Sequence, residues 1–145
     1  MIGWLSRRDV FILERNTKML ELPLIDRCDV IFVPSLLENP LTGQSCIVDA
    51  VWDTGSQRSA ISVDAFRAIG LVRGNVAHVQ GSSGVSKGWE TVCRVSLTEY
   101  DVWDVEMDVL PELPVHMVIG MDIISTGNFS LMYEENGYTF RFEQL

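Results

Sequence analysis

The most chemically suggestive part of this 145-residue chain is VDAVWDTGSQRSAIS, residues 48–62. An apolar run ends there on the carboxylate of Asp53, and Thr54 and Gly55 follow at once. One carboxylate hydrolyses an amide poorly, but two carboxylates in contact share a proton, since like charges that close do not both ionise. One of them then activates a water molecule while the other donates to the carbonyl oxygen and the leaving nitrogen. Asp53 is therefore predicted to be half of a two-carboxylate hydrolytic site.

The sequence contains a single Asp-Thr-Gly segment, so the second carboxylate needs another source. Asp49 lies on the same strand face as Asp53, but four residues at ~3.3 Å each place it about 13 Å away. The segment ISTGN, residues 124–128, carries Ser125 where the acid would stand. The second Asp53 is expected from a second copy of the chain, related by a two-fold axis that passes between the two turns.

The residues after Asp53 suit supporting roles. Gly55 allows a sharp turn and a close approach of the backbone behind the acid. Thr54, turned inward, would hydrogen-bond to its twin in the second copy. Ser56 is predicted to donate a hydrogen bond to the Asp53 carboxylate and to favour its ionised form, and better activity at mildly acidic pH is expected from this arrangement.

The segment around Asp53 resembles the active-site segment of the retropepsin-like aspartic proteases, the single-domain relatives of pepsin. MVIGMDIISTGNFSL, residues 117–131, is similar to the second signature of that family, in which an apolar pair precedes a glycine, one further residue, and then Asp or Asn. The resemblance covers roughly residues 28–142, and the closing segment NFSLMYEENGYTFRF is similar to bacterial and phage-borne members.

The resemblance implies a homodimeric aspartic endopeptidase that acts on a polypeptide and needs neither a metal ion nor an organic cofactor. It places Val118, Ile119, Gly120 and Asp122 in the structure that packs behind the catalytic turn, with Met121–Ile124 opening a short helix. Some family members carry an arginine after the second-signature glycine, whereas Met121 cannot form an ion pair.

The resemblance also assigns the segment HVQGSSGVSKGW, residues 78–89, to a flap hairpin that closes over the substrate. Its composition agrees independently, because Gly81, Gly84 and Gly88 allow hinge-like backbone angles and the serines keep the tip soluble. The flap residues expected to bind substrate are Gln80, Gly81, Ser82, Ser83 and Gly84.

Strand patterns dominate the elements that would position these residues. Segments 29–38 and 44–52 form a hairpin around the NPLTG turn, with Pro34 at an edge or a bulge. Ser62 caps a short helix that Gly70 ends. Strands follow at 76–81, 89–99 and 101–110, and a last hairpin turns at Asn136-Gly137. We expect an all-β fold, a small closed barrel-like retropepsin lobe with one or two short helices over residues 26–145, after an N-terminal extension, residues 1–25.

Composition excludes several other classes of protein. Eleven basic and twenty acidic side chains give a net charge of −9, which argues against a nucleic-acid partner. Cys28, Cys46 and Cys93 are odd in number and widely spaced, so they predict buried free thiols in a reducing compartment rather than disulfides or a zinc site. The N-terminus lacks the apolar core of a signal peptide, and no run is long enough to span a membrane. We therefore expect a cytoplasmic protein without a membrane partner.

Alternative interpretations of the same residues remain open at this stage. The Gly-Ser run at 81–84 suits a plain hairpin turn as well as a flap, but it is not a Gly-x-Ser-x-Gly nucleophile elbow. His78 and His116 are expected to be structural or surface residues, since no local context supports a thiol protease. The acid-rich strand EYDVWDVEMDV predicts a solvated face. The whole domain could also be a non-catalytic peptide-binding or dimerisation module, or a structural β domain with an accidental motif, although an intact Asp-Thr-Gly argues against a non-enzyme.

Overall fold

The computed structural model describes residues 19–24, 29–81, 84–99, 101–135 and 137–145. Strands and two short helices make up the regular structure of these ranges, which confirms the all-β class. The elements are, in chain order, β1 (Met19–Leu24), β2 (Phe32–Glu38), β3 (Ser45–Trp52), β4 (Ala60–Ile61), α1 (Val63–Ala68), β5 (Val76–Gly81), β6 (Gly84–Ser96), β7 (Val102–Val109), β8 (Met117–Ile119), α2 (Met121–Ile124), β9 (Gly127–Glu134) and β10 (Gly137–Gln144).

Two sheets build the domain. The larger sheet has the order β2-β3-β8-β4-β7-β6-β5, and β2 also pairs with β6, so that six of its strands close into a ring and β5 stays outside as the partner of β6. The smaller sheet has the order β1-β10-β9. The ring agrees with the barrel-like lobe that the sequence predicts.

Local turn chemistry explains the first hairpin and the first helix. The Asn39 side chain accepts the Leu41 N–H and donates to the Ile69 carbonyl, while Gly43 adopts a φ of 76°, so the NPLTG turn is fixed as predicted. The Ser62 hydroxyl accepts the Ala65 N–H at 3.1 Å and caps α1.

Trp52 joins the two sheets at the end of β3. Its ring meets Phe140 and Phe142 edge-on with centroid distances of 5.0 Å, and meets Phe129 at 5.6 Å. Aromatic pairs in this geometry contribute beyond the area that they bury. Because Trp52 directly precedes Asp53, the small sheet is packed against the strand end that carries the candidate catalytic acid.

The structure corrects the predicted boundaries in two places. β6 is one strand of 13 residues, and its register shows that it pairs first with β5 and then with β7, rather than beginning at Trp89. Gly137 already pairs with Glu134, so the final hairpin closes one residue earlier than predicted, and Asn136 lies outside the described residues.

Part of the N-terminal segment belongs to the small sheet. β1 lies within residues 1–25 and pairs along its length with β10, where Leu20 is fully buried. Residues 1–18 and residues 25–28, which include Cys28, lie outside the described residues. Neither of the helices in the described ranges is long and apolar enough to cross a membrane.

Candidate active site

Asp53 follows the last residue of β3 and begins a tight turn, residues 53–59, here called the Asp53 turn. The Asp53 N–H donates to the Ile119 carbonyl of β8 at 3.0 Å, which fixes the backbone before the turn. The Gly55 N–H donates to Asp53 Oδ1 at 2.8 Å, and the Ser56 N–H donates to the Asp53 carbonyl at 3.2 Å. Asp53 is half-buried. Its carboxylate is thus held by a backbone N–H on one side while it still reaches solvent.

Asp122 and Ser59 clamp the far end of the Asp53 turn onto α2. The Ser59 N–H and hydroxyl donate to the two carboxylate oxygens of Asp122 at 2.8 and 2.7 Å. The Ser59 hydroxyl also accepts the Gly120 N–H at 3.1 Å, and the Met121 N–H donates to the Ser56 carbonyl at 2.8 Å. Ser59 is fully buried, so these bonds have no competition from water.

Gly120 is required by the same contact. A Cβ at this position would lie 2.7 Å from the Arg58 carbonyl carbon and 2.8 Å from the carbonyl oxygens of Arg58 and Ser56. Only glycine lets α2 approach the turn this closely. The structure thus brings Gly120 and Asp122 together with the Asp53 turn, as the resemblance implies, and Ile119 is fully buried behind it.

Ser56 does not make the contact predicted from the sequence. Its hydroxyl donates to the Arg58 carbonyl at 2.7 Å, so its proton is committed within the turn and is not directed at Asp53. The donor to the Asp53 carboxylate is instead the Gly55 N–H. Ser56 therefore gives no reason to expect better activity at mildly acidic pH. Thr54 is exposed.

Val118 lies on the open face of the sheet and not behind the catalytic turn. It pairs with Val51, which in turn pairs with Phe32, so the three side chains form one row on the sheet face opposite Trp52. Val51 and Val118 are half-buried and Phe32 is 47% exposed, whereas Met117 and Ile119 fill the core. A strand of three residues has too short an alternation for this orientation to be predicted.

The predicted flap, residues 78–89, lies in a hairpin of residues 76–89 in which β5 pairs with the first half of β6, and this whole hairpin is called the flap hairpin from here on. Gly81 pairs with Gly84, and Gln80 is exposed, while Ser82 and Ser83 lie outside the described residues. Gly84 has a φ of 119°, which suits the tip. Gly88 has a different role from the predicted hinge, because a Cβ there would overlap the Val109 carbonyl of β7.

An ion-pair cluster links the Asp53 turn to the base of the flap, and sequence reasoning missed it. Arg58 Nη2 lies 3.3 Å from Asp108 Oδ1, and Arg58 Nη1 lies 3.6 Å from Glu90 Oε1. Burial raises the pKa of Asp108 despite the opposing effect of Arg58. Asp104 and Glu106 are exposed, as predicted for the solvated face of β7. The prediction is wrong for Asp108, which is only 6% exposed.

The remaining nucleophile and ligand candidates stay apart from this chemistry. Burial raises the pKa of Cys46 to about 11 and that of Cys93 to about 12, so neither is a thiolate near neutral pH. His78 is exposed, and His116 lies 3.4 Å from the Ser62 hydroxyl. Within the part of the chain that the structure describes, no three His, Cys, Asp or Glu residues are grouped to hold a metal ion.

Comparisons with known proteins agree with the fold and identify the family. Residues 27–126, well over half of the chain, match the family described as "gag-polyprotein putative aspartyl protease". The EIAV protease complexed with the inhibitor HBY-793 is similar at 17% identity over 67% of this chain and 86% of that chain, with a TM-score of 0.54. A retropepsin-like aspartic protease from Rickettsia conorii is similar at 11% identity over 86% and 92% of the two chains, with a TM-score of 0.55. A search of curated proteins returned no match.

These findings confirm the resemblance stated from the sequence. The fold and the clamped Asp-Thr-Gly turn define a retropepsin-like aspartic protease. The chain belongs to the gag-polyprotein aspartyl protease family and is an aspartic endopeptidase.

Proposed function

We propose that this protein is a homodimeric endopeptidase whose active site contains two Asp53 carboxylates, one from each protomer. The observation that carries the proposal is the presentation of Asp53, half-buried and reaching solvent on a turn that is fixed at both ends. The sequence supplies a single Asp-Thr-Gly, so a second copy of the same turn completes the pair. Thr54, which is exposed, would meet the same residue of the second copy in this arrangement.

The small sheet offers the surface for this second copy. β9 is the terminal strand of that sheet in the described residues, and Phe129, Leu131 and Tyr133 lie on its core-facing side, opposite Phe142, Phe140 and Tyr138. Phe140 and Phe142 are fully buried, but the three β9 side chains are 41%, 43% and 74% exposed. The described chain therefore leaves an apolar face uncovered next to Trp52, beside the catalytic acid.

The chemistry of the pair balances without a metal ion. One Asp53 is ionised and removes a proton from water as the water oxygen attacks the substrate carbonyl carbon. The other Asp53 gives its proton to the carbonyl oxygen. The Asp53 that took the proton from water then gives it to the amide nitrogen, and the carbon–nitrogen bond breaks. One hydroxyl of the tetrahedral intermediate gives its proton to the other Asp53, which leaves a carboxyl and an amine product and a pair that again holds one shared proton.

The substrate that fits this site is an extended polypeptide with apolar side chains near the scissile bond. The row of Phe32, Val51 and Val118 forms an apolar wall on the sheet face to which strand alternation also assigns Asp53. An extended peptide can pair its backbone with the flap hairpin as an added strand would. Burial of an apolar side chain against this wall favours binding by about 1.5–3 kcal/mol.

Cleavage of an unstructured protein at pH 4 to 7 by the wild type and by Asp53→Asn, with the mass in solution measured in parallel, tests the proposal. A dimeric wild type that cuts and a dimeric Asp53→Asn that does not are the expected results. Two dimers that both fail to cut would favour a peptide-binding module instead. An active Asp53→Asn protein would refute the assignment of the acid.

The dimer surface has its own test. Leu131→Asp places a charge on the uncovered face of β9 and is expected to weaken the dimer at least about tenfold, with activity that returns at higher protein concentration. Leu41→Asp, at a residue that is 80% exposed in the β2–β3 turn, is the matched control and is expected to leave the mass unchanged. Equal effects of the two substitutions would contradict the β9 surface.

A further inference from the structure

Arg58 is the one charged side chain of the Asp53 turn besides Asp53 itself. Its guanidinium reaches away from the turn and contacts two other strands, at Asp108 on β7 and Glu90 on β6. The Asp108 side chain is 8% exposed, while that of Arg58 is 42% exposed. The ion pair therefore combines a desolvated carboxylate with a cation that water still reaches.

The backbone of Arg58 is fixed as firmly as its side chain. Its carbonyl accepts the Ser56 hydroxyl at 2.7 Å and lies against Gly120 in a space that excludes a Cβ. Ser59, the next residue, is tied to Asp122 through both its N–H and its hydroxyl. Arg58 thus connects three parts of the fold, namely the Asp53 turn, α2 through its backbone, and strands β6 and β7 through its guanidinium.

Glu90 extends this connection to the flap. It directly follows Trp89, which closes the flap hairpin by pairing with Val76. The Glu90 carbonyl accepts the Gly74 N–H at 2.7 Å, and its N–H donates to the Asn75 carbonyl at 2.7 Å, so Glu90 also holds the segment that enters β5. A contact between Arg58 and Glu90 therefore reaches both strands at the base of the flap.

The charges around Arg58 repel one another in its absence. The cluster contains Glu90 from β6, Glu106 and Asp108 from β7, and Asp122 from α2. A hydrogen bond with Glu106 raises the pKa of Glu90. Burial raises the pKa of Asp108, and the nearby charges of Asp122 and Glu106 raise it further. Arg58 is the cation that lowers the pKa of both carboxyls.

We propose that Arg58 is a positioning residue that holds the Asp53 turn at a fixed distance from the base of the flap. The ion pairs that support this role start from the Asp53 turn itself and end on β6 and β7. The inference rests on the proposed function, because the carboxylate to be positioned is that of Asp53. Displacement of a catalytic group by about 1 Å is enough to lower a rate about 100-fold.

Arg58→Met tests the role, because it keeps an unbranched apolar stem like that of arginine and removes the guanidinium with its charge. We expect kcat to fall at least about tenfold while KM changes less than about twofold, since the contact acts on the reacting carboxylate and not on substrate binding. Arg58→Lys is expected to recover part of kcat. Arg94→Met is the matched control, because Arg94 makes a similar pair of contacts with Asp104 at 2.8 Å and Glu38 at 3.4 Å, away from the Asp53 turn.

A double substitution separates positioning from stability. Arg58→Met leaves Asp108 desolvated without its cation, so we expect the protein to lose stability. Arg58→Met/Asp108→Asn removes that charge and is expected to restore the melting temperature, but not kcat. Recovery of kcat together with stability in the double variant would overturn the proposal, as would an unchanged kcat in Arg58→Met.

A measurement without substrate keeps this inference separate from the proposed function. If the wild type cuts nothing, the proposed function fails, and amide hydrogen exchange over residues 53–59 then decides the role of Arg58. Arg58→Met is expected to exchange faster than the wild type in this turn, while Arg94→Met exchanges at the wild-type rate there. Equal exchange in the two variants would overturn the inference.

Discussion

Ser59→Ala is the substitution whose effect can be worked most fully from the structure. The fully buried hydroxyl donates to the Asp122 carboxylate at 2.7 Å and accepts the Gly120 N–H at 3.1 Å. Loss of a hydrogen bond to a charged group costs about 1.5–3 kcal/mol, and a buried N–H left without an acceptor costs about 1–3 kcal/mol. The two effects share one site and overlap, so we expect the free energy of unfolding to fall by about 3 kcal/mol.

The assay is urea unfolding of wild type and variant at one protein concentration, since unfolding of a dimer depends on concentration. Ser35→Ala is the control, because Ser35 is equally buried but its hydroxyl donates only to the Val33 carbonyl, two residues away, at 3.0 Å. We expect this control to lose about 1 kcal/mol or less. A Ser59→Ala loss no larger than that of Ser35→Ala would refute the reasoning that the Ser59–Asp122 clamp holds the turn.

Three further predictions follow from packing and ionisation. Gly120→Ala forces a Cβ into the Arg58 backbone, so we expect a loss of about 3 kcal/mol in urea unfolding together with loss of cleavage; a stable, active variant would contradict the close approach. Because burial raises the pKa values of Cys46 and Cys93 to about 11 and about 12, we expect both thiols to resist alkylation at pH 8 until the protein is unfolded, as peptide mapping can check. Asp101 is 2% exposed and burial raises its pKa, so the cost of its charge is absent at low pH and grows as the pH rises through the raised pKa. Asp101→Asn should therefore increase the free energy of unfolding at pH 7 and change it little at pH 3; the same gain at both pH values would contradict this.

Features that depend on local chemistry could be predicted from the sequence. Turn residues, a cap and an apolar run act over a few positions, and they predict the NPLTG hairpin, the helix capped by Ser62 and the strand that leads into Asp53. The resemblance of two short segments then supplied the family, and the structure brings those segments together through Gly120 and Ser59.

Features that depend on distant pairing could not be predicted. Arg58 and Asp108 are 50 positions apart, and the alternation of β7 gives no sign that one of its acids is buried beneath an arginine. Gly88 resembles a hinge in composition, but the backbone of β7 lies where its side chain would be. Ser56 is placed to contact Asp53 by sequence distance alone, yet the Arg58 carbonyl competes for the same proton.

The central claim is that two chains contribute one Asp53 each to a single active site. The most direct test mixes wild-type and Asp53→Asn chains at constant total concentration, lets the subunits exchange, and measures cleavage as the wild-type fraction varies. If only dimers of two wild-type chains are active, the rate follows the square of that fraction and falls to about one quarter of the wild-type rate in an equal mixture. A rate that falls in direct proportion to the wild-type fraction, to about one half in the equal mixture, would show that each chain works alone and would contradict the account.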